Sequence, residues 1–69
     1  MSIQVKGIGI IGTGIQGTAI VQKMMADGID VHVYDHIESE MAKSIELGAK
    51  EHFSLKQIMD ATDIIFLIL

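Results

Sequence analysis

Ile8-Gly9-Ile10-Ile11-Gly12-Thr13-Gly14-Ile15-Gln16-Gly17 sets three glycines in the order Gly-x-Gly-x-x-Gly at the end of a β-branched run. Upstream, Val5-Lys6-Gly7 extends that run, so Val5 to Ile11 reads as a short buried strand ended by the Gly12-Thr13-Gly14 turn. Downstream the apolar spacing becomes helical from Ile15 to Asp27, with Gly17, Ile20, Val21, Met24 and Met25 on one face. Gly28 stands just past that helix, where a positive φ costs glycine nothing. In this setting each glycine of the turn has its own mechanical reason. Gly12 permits the tight turn, Gly14 lets backbone approach a pyrophosphate, and Gly17 lets helix and strand touch. The free N–H groups at the start of the helix, with its dipole, favour an anion. A glycine turn needed only for tight packing is the alternative, and the separate reason at each position weighs against it.

The next segments continue the alternation. Ile29 to Tyr34 alternates apolar and polar residues and ends at Asp35, a second strand. Asp35 lies eighteen positions after Gly17, close to the spacing at which an acid accepts hydrogen bonds from a ribose 2′-hydroxyl. A carboxylate there repels a 2′-phosphate, so NAD is expected over NADP. The absence of Arg agrees, whereas His36 could donate to such a phosphate. The plainer reading of Asp35 is a helix cap or a solvated turn acid. Glu38 to Leu47 reads as a second helix, with Met41 and Ile45 inward, Glu38 and Glu40 in its first turn, and Gly48 closing it. Ala49 to Phe53 is a short third strand. Ser54-Leu55-Lys56-Gln57 has the form of a capping box, which starts a helix from Leu55 to about Ala61. After Asp63, Ile64-Ile65-Phe66-Leu67-Ile68-Leu69 is apolar without alternation, as in a parallel strand covered on both faces.

Four strands joined by helices make an α/β chain with a parallel, Rossmann-type sheet in the order 3-2-1-4. The sequence stops inside the fourth strand, so residues 1–69 are expected to be the amino-terminal part of a dinucleotide-binding domain, truncated after that strand. Ile68 and Leu69 are expected to line the ligand cleft, because ligands sit at the carboxyl ends of parallel strands. An apolar strand on an open edge is a pairing liability, and self-association through it follows as an expectation.

Composition narrows the class. The 69 residues are 49% hydrophobic, with a formal charge of −4 and neither Cys nor Pro. Disulfides are excluded, and the three scattered histidines have no zinc spacing, so the usual supports of a small chain are missing. The acidic balance argues against a nucleic-acid surface. No apolar run approaches the roughly 20 residues of a membrane span, and no signal peptide is evident. A soluble, cytoplasmic domain is expected. His32 reads as a strand-face residue and His52 as surface. Met24, Met25, Met41 and Met59 read as core filler, Asp60 and Asp63 as solvated, and the lysines as scattered over the surface. No Ser, His and Asp set suggests a nucleophilic triad.

Together, Ile8 to Gly17 and Val31-His32-Val33-Tyr34-Asp35-His36 resemble the start of the β-hydroxyacid dehydrogenases. That group includes 3-hydroxyisobutyrate dehydrogenase and the cofactor domain of 6-phosphogluconate dehydrogenase. The likeness continues in register through Glu46-Leu47-Gly48-Ala49 and through Ala61-Thr62-Asp63 into the last apolar run. It implies an NAD(P)-binding start of an oxidoreductase that moves a hydride to or from a small hydroxy acid. Gly12, Thr13, Gly14, Ile15, Gln16 and Gly17 would hold the pyrophosphate, and Asp35 and His36 would stand at the adenosine ribose. The family's catalytic lysine lies further along the chain, so no catalytic residue is assigned and this chain alone is expected to be inactive, with a hydroxy-acid substrate only in a longer parent. Departures are Gln16 where the family has Met, Thr18 in the region of a common Pro, Asp35-His36 for Asn-Arg, and Ile37 for a capping Thr. Two other classes remain open: a binding or assembly module with an empty glycine loop, and another enzyme of the same fold, such as an imine reductase or a flavoprotein.

Overall fold

The computed structural model describes residues 6–68. Its elements, in chain order, are β1 (Ile8–Ile11), α1 (Ile15–Ala26), β2 (Val31–Tyr34), a 3₁₀ turn (Glu38–Met41) leading into α2 (Ala42–Glu46), β3 (Lys50–Glu51), α3 (Leu55–Ala61) and β4 (Ile64–Leu67). The strands form one sheet in the order β3-β2-β1-β4. All pairings are parallel, with Ile10 opposite Val33 on one side and Phe66 on the other. The expected α/β class and strand order are therefore observed. Val5 and Leu69, the expected outer ends of the first and last strands, lie outside the described residues.

The two faces of the sheet differ. Ile10, Val31 and Val33 pack with Val21 of α1 and with Met41 and Ala49, and Ile20, Met24, Met25 and Leu47 close the rim of this core. On the opposite face, Ile58 and Thr62 sit directly over Gly9, where a Cβ would meet them at 3.1–3.2 Å. Because both faces are covered, Val31, His32 and Val33 are all buried, and the alternation read in β2 does not correspond to an exposed face. His32 is a strand-face residue as expected. His52, expected at the surface, is instead half-buried, with its ring centroid 5.0 Å from that of His32.

Helix ends follow the local chemistry. Gly28 takes φ 77° and Gly48 φ 106°, and their N–H groups bond the Met25 and Ile45 carbonyls. At α3, Ser54 Oγ accepts the Gln57 N–H at 3.2 Å. Gln57 Oε1 reaches back to the Phe53 N–H at 2.8 Å, one residue beyond the reciprocal bond of an ideal capping box.

Three burial expectations need correction. Ile45 faces outward and Ser44 is buried in its place, since Ser44, three residues after Met41, shares its inward face as α2 begins. Met59 is 60% exposed rather than core, since Ile58 takes the inward position of α3. All four residues of β4 are exposed. Their exposure runs from 38% at Ile65 to 61% at Leu67. The charged surface behaves as expected: Lys56 pairs with Asp60 at 2.8 Å, and Asp63 is exposed. No helix among the described residues is long and apolar enough to cross a membrane.

Neighbours in sequence but not in environment, Ile58 and Met59 give a direct check on this packing. Ile58→Ala removes a fully buried side chain and should cost about 2–4 kcal/mol, whereas Met59→Ala should stay within about 0.5 kcal/mol. Urea denaturation measures both. Equal midpoint shifts would contradict the placement of α3.

Candidate functional site

Parallel register brings Ile11 of β1 level with Tyr34 of β2 and Leu67 of β4. Beyond these strand ends lies a cleft of about 740 Å³, bounded by the glycine turn, the first turn of α1 and the segment after β2. Of the residues expected at the site, Gly12, Gly14, Ile15, Gln16, Gly17, Asp35, His36 and Ile68 line it. Thr13 turns inward and is buried, and Leu69 lies outside the described residues. Ile11, Tyr34, Ile37, Glu40 and Leu67 also line the cleft and were not anticipated. Strand-end position could have indicated Ile11, Tyr34 and Leu67. Glu40 could not be found that way, because the 3₁₀ turn carries it to the cleft.

Each glycine of the turn is tested by what a side chain would meet. Gly12 has φ 96°, and an added Cβ would overlap the carbonyl oxygen of Ile68. A Cβ on Gly17 would overlap the carbonyl oxygen of Gly12, with Ile10 Cγ2 at 3.7 Å. Helix α1 therefore packs onto the turn itself more closely than onto the strand. Gly14 is different: only Glu40 Oε2, at 3.9 Å, lies within 4 Å of the Cβ position. The absence of a side chain at Gly14 serves no internal packing and leaves backbone open to the cleft. Among the described residues, the N–H groups of Ile15, Gln16 and Gly17 have no acceptor, and the first turn of α1 carries no acid. Unpaired donors at a helix start, with the dipole behind them, suit an anion.

Asp35 joins this turn to the end of β2. Oδ2 accepts the Thr13 N–H at 2.8 Å and faces the Thr13 hydroxyl at 3.3 Å. Oδ1 accepts the Ile37 N–H at 2.8 Å, with His36 Nδ1 at 3.5 Å. The side chain is only 9% exposed. Burial alone would raise its carboxyl, but the hydrogen bonds from Thr13 and Ile37 and the nearby His36 outweigh it and hold the group below its ordinary value of 3.8. Asp35 is thus a turn acid and a cleft residue at once, and it uses the N–H of Thr13 that a bound anion could otherwise take. His36 is largely exposed at the rim. Lysines, by contrast, are missing from the lining, and the described residues contain no group of three metal-ligating side chains.

Comparison with known proteins agrees with this geometry. The sequence pattern described as the NAD binding domain of 6-phosphogluconate dehydrogenase matches residues 7–69. Glyoxylate/succinic semialdehyde reductase 2, chloroplastic, from Arabidopsis thaliana is 32% identical over 62 residues, which is 90% of this chain and 17% of that protein. Among solved structures, a variant imine reductase from Myxococcus stipitatus in complex with NAD⁺ superposes with a TM-score of 0.86 at 21% identity, over 91% of this chain and 22% of its own. Psf3 in complex with NADP⁺ and 2-OPP gives 0.82 at 27% identity, over 87% and 21% respectively. This chain therefore spans about a fifth of the length of these relatives.

Two measurements test the site's construction. Gly17→Ala should destabilise the chain by about 2 kcal/mol and Gly14→Ala by well under half of that, read from urea midpoints. The reverse order would contradict the close approach at Gly12. The depressed Asp35 carboxyl contributes stability that is complete above pH 3.8 and is lost as the pH falls through its lower native value. The melting temperatures of wild type and Asp35→Asn should therefore differ at pH 7 and converge on acidification toward pH 2. A gap that stays constant over that range would remove Asp35 from the account.

Proposed function

The chain belongs to the family of the NAD binding domain of 6-phosphogluconate dehydrogenase, and from that premise we propose that residues 1–69 form the amino-terminal part of a dinucleotide-binding domain holding the adenosine diphosphate portion of NAD. The observation that carries this is Gly14, whose bare backbone opens on the cleft beside unpaired N–H groups at the start of α1. In this reading the backbone from Gly12 to Gly17 holds the pyrophosphate, Asp35 accepts from the adenosine ribose, His36 caps the rim, and Ile68 with Leu69 borders the ligand. Ionised Asp35 has about four acceptor positions and uses two for backbone N–H groups and one for the Thr13 hydroxyl, which leaves about one for a ribose hydroxyl. Preference for NAD rests on charge. Asp35 and Glu40 both line the cleft, where two carboxylates disfavour a 2′-phosphate, and the sequence has no Arg to offset them. Solved neighbours are found with NAD⁺ and with NADP⁺, so the preference belongs to this chain's own acids.

A nicotinamide dinucleotide supplies, when bound, a hydride donor or acceptor. The residues here would bind and orient its adenosine end. The family match and the 32% identity to a glyoxylate/succinic semialdehyde reductase support a longer protein that interconverts a small hydroxy acid and its carbonyl form. The imine reductases, at 21–22% identity, share the fold. The 69 residues alone should show weak binding and no turnover. The exposed outer edge of β4 supports a further proposal, concentration-dependent self-association by strand pairing.

Titration with millimolar NAD, followed on the amides of Gly14 and Gly17, tests the pyrophosphate assignment. Both signals should move, and unmoved signals would favour a module whose loop takes no ligand. Asp35→Ala should weaken NAD roughly 10-fold, equivalent to about 1.4 kcal/mol, and Asp35→Ala or Glu40→Gln should each raise NADP relative to NAD. Unchanged affinities for both cofactors would refute the ribose assignment. Sedimentation as a monomer at high concentration would refute the edge pairing.

A further inference from the structure

Away from the cleft, on the α3 side of the sheet, four charged or titratable side chains meet where β3 joins β2. Asp30 Oδ2 lies 3.0 Å from His32 Nε2, and because the carboxylate only accepts, it fixes a proton on that nitrogen. His32 Nδ1 then faces His52 Nε2 at 2.7 Å, a separation that holds one proton between the rings. Lys50 completes the group through Asp30 Oδ1 at 3.0 Å. His32 is 6% exposed, set in a central strand, and a Cβ at Gly7 would touch its ring at 3.0 Å. His52 follows β3, a strand of two residues, and its N–H donates to the Val33 carbonyl.

We propose that His32 and His52 form a proton-controlled latch, which fastens β3 to β2 while the pair carries at most one added proton and releases it on the second. In the neutral pair, His52 Nε2–H donates to His32 Nδ1. A first added proton, shared by the pair, still leaves one inner nitrogen bare and the N–H···N bridge intact. A second must occupy the remaining inner nitrogen, which sets two N–H donors and two positive rings against each other. His32 is confined by the strand and by Asp30, so His52 is the side chain that leaves. Among the described residues no other charged group pairs with the two rings: Lys50 adds positive charge, Asp30 is shared between Lys50 and His32, and on α3 Lys56 and Asp60 pair with each other. From β1 the neighbour is Gly7 backbone. Burial, then the charges of His32 and Lys50, hold His52 below its ordinary value of 6.5. Its native value is depressed, so its contribution is complete above that pH and falls as the pH drops through the native value.

Amide hydrogen exchange, corrected for intrinsic rates, tests the latch. Protection of the His52 amide relative to those of β1 should fall about 10-fold or more between pH 7.5 and pH 5. In His52→Gln that ratio should be independent of pH. A flat ratio in wild type, or the same pH dependence in His52→Gln, overturns the proposal. Imidazole ¹⁵N spectra of the unmodified chain give a second readout should His52→Gln fail to fold. Coupled two-step titration supports the latch, and two independent single-site curves overturn it.

Discussion

Of the glycine positions, Gly17 leaves the least room: a Cβ there would overlap the carbonyl oxygen of Gly12. No side chain fits between them, so the first turn of α1 is pressed onto the loop that precedes it. That one constraint sets where the helix begins and how its axis lies over the sheet. It also decides that the unpaired N–H groups of Ile15 to Gly17 open at the carboxyl ends of the strands. Asp35 holds the other side of the loop through Thr13. The loop is fixed from two directions, and Gly14, between the fixed points, is left bare.

This arrangement explains which parts of the chain could be read in advance. Gly12, Gly14 and Gly17 act through backbone sterics over six residues, and Ser54 and Gln57 through a local cap, so their spacing carries the information directly. Asp35 was legible because strand and helix lengths place it near the glycine turn. Ser44, Glu40 and the outward turn of Ile45 were not, because they depend on a 3₁₀ turn whose entry lacks the usual capping residue. The contact between His32 and His52 arises from β2–β3 register, which no local pattern encodes. The exposure of β4 also escaped, since an apolar run reports what a strand is suited to cover, not what covers it.

The cleft draws most of its lining from the stretch between Ile11 and Ile37, and Glu40, Leu67 and Ile68 complete it from later elements. The cleft sets unpaired backbone donors beside two acids: Asp35 bonds the Thr13 N–H of the turn, and Glu40 lies close to Gly14.

β1 lies in the middle of the sheet, and its two neighbours reach it very differently. Val31 pairs with Ile8 from 23 positions away, whereas Ile64 pairs with the same residue from 56 positions away. Closing the longer loop costs more chain entropy and makes the second pairing the slower to form. Until β4 arrives, the strand that leads into the glycine turn is itself a sheet edge. The order in which the chain assembles thus leaves its innermost strand unprotected longest.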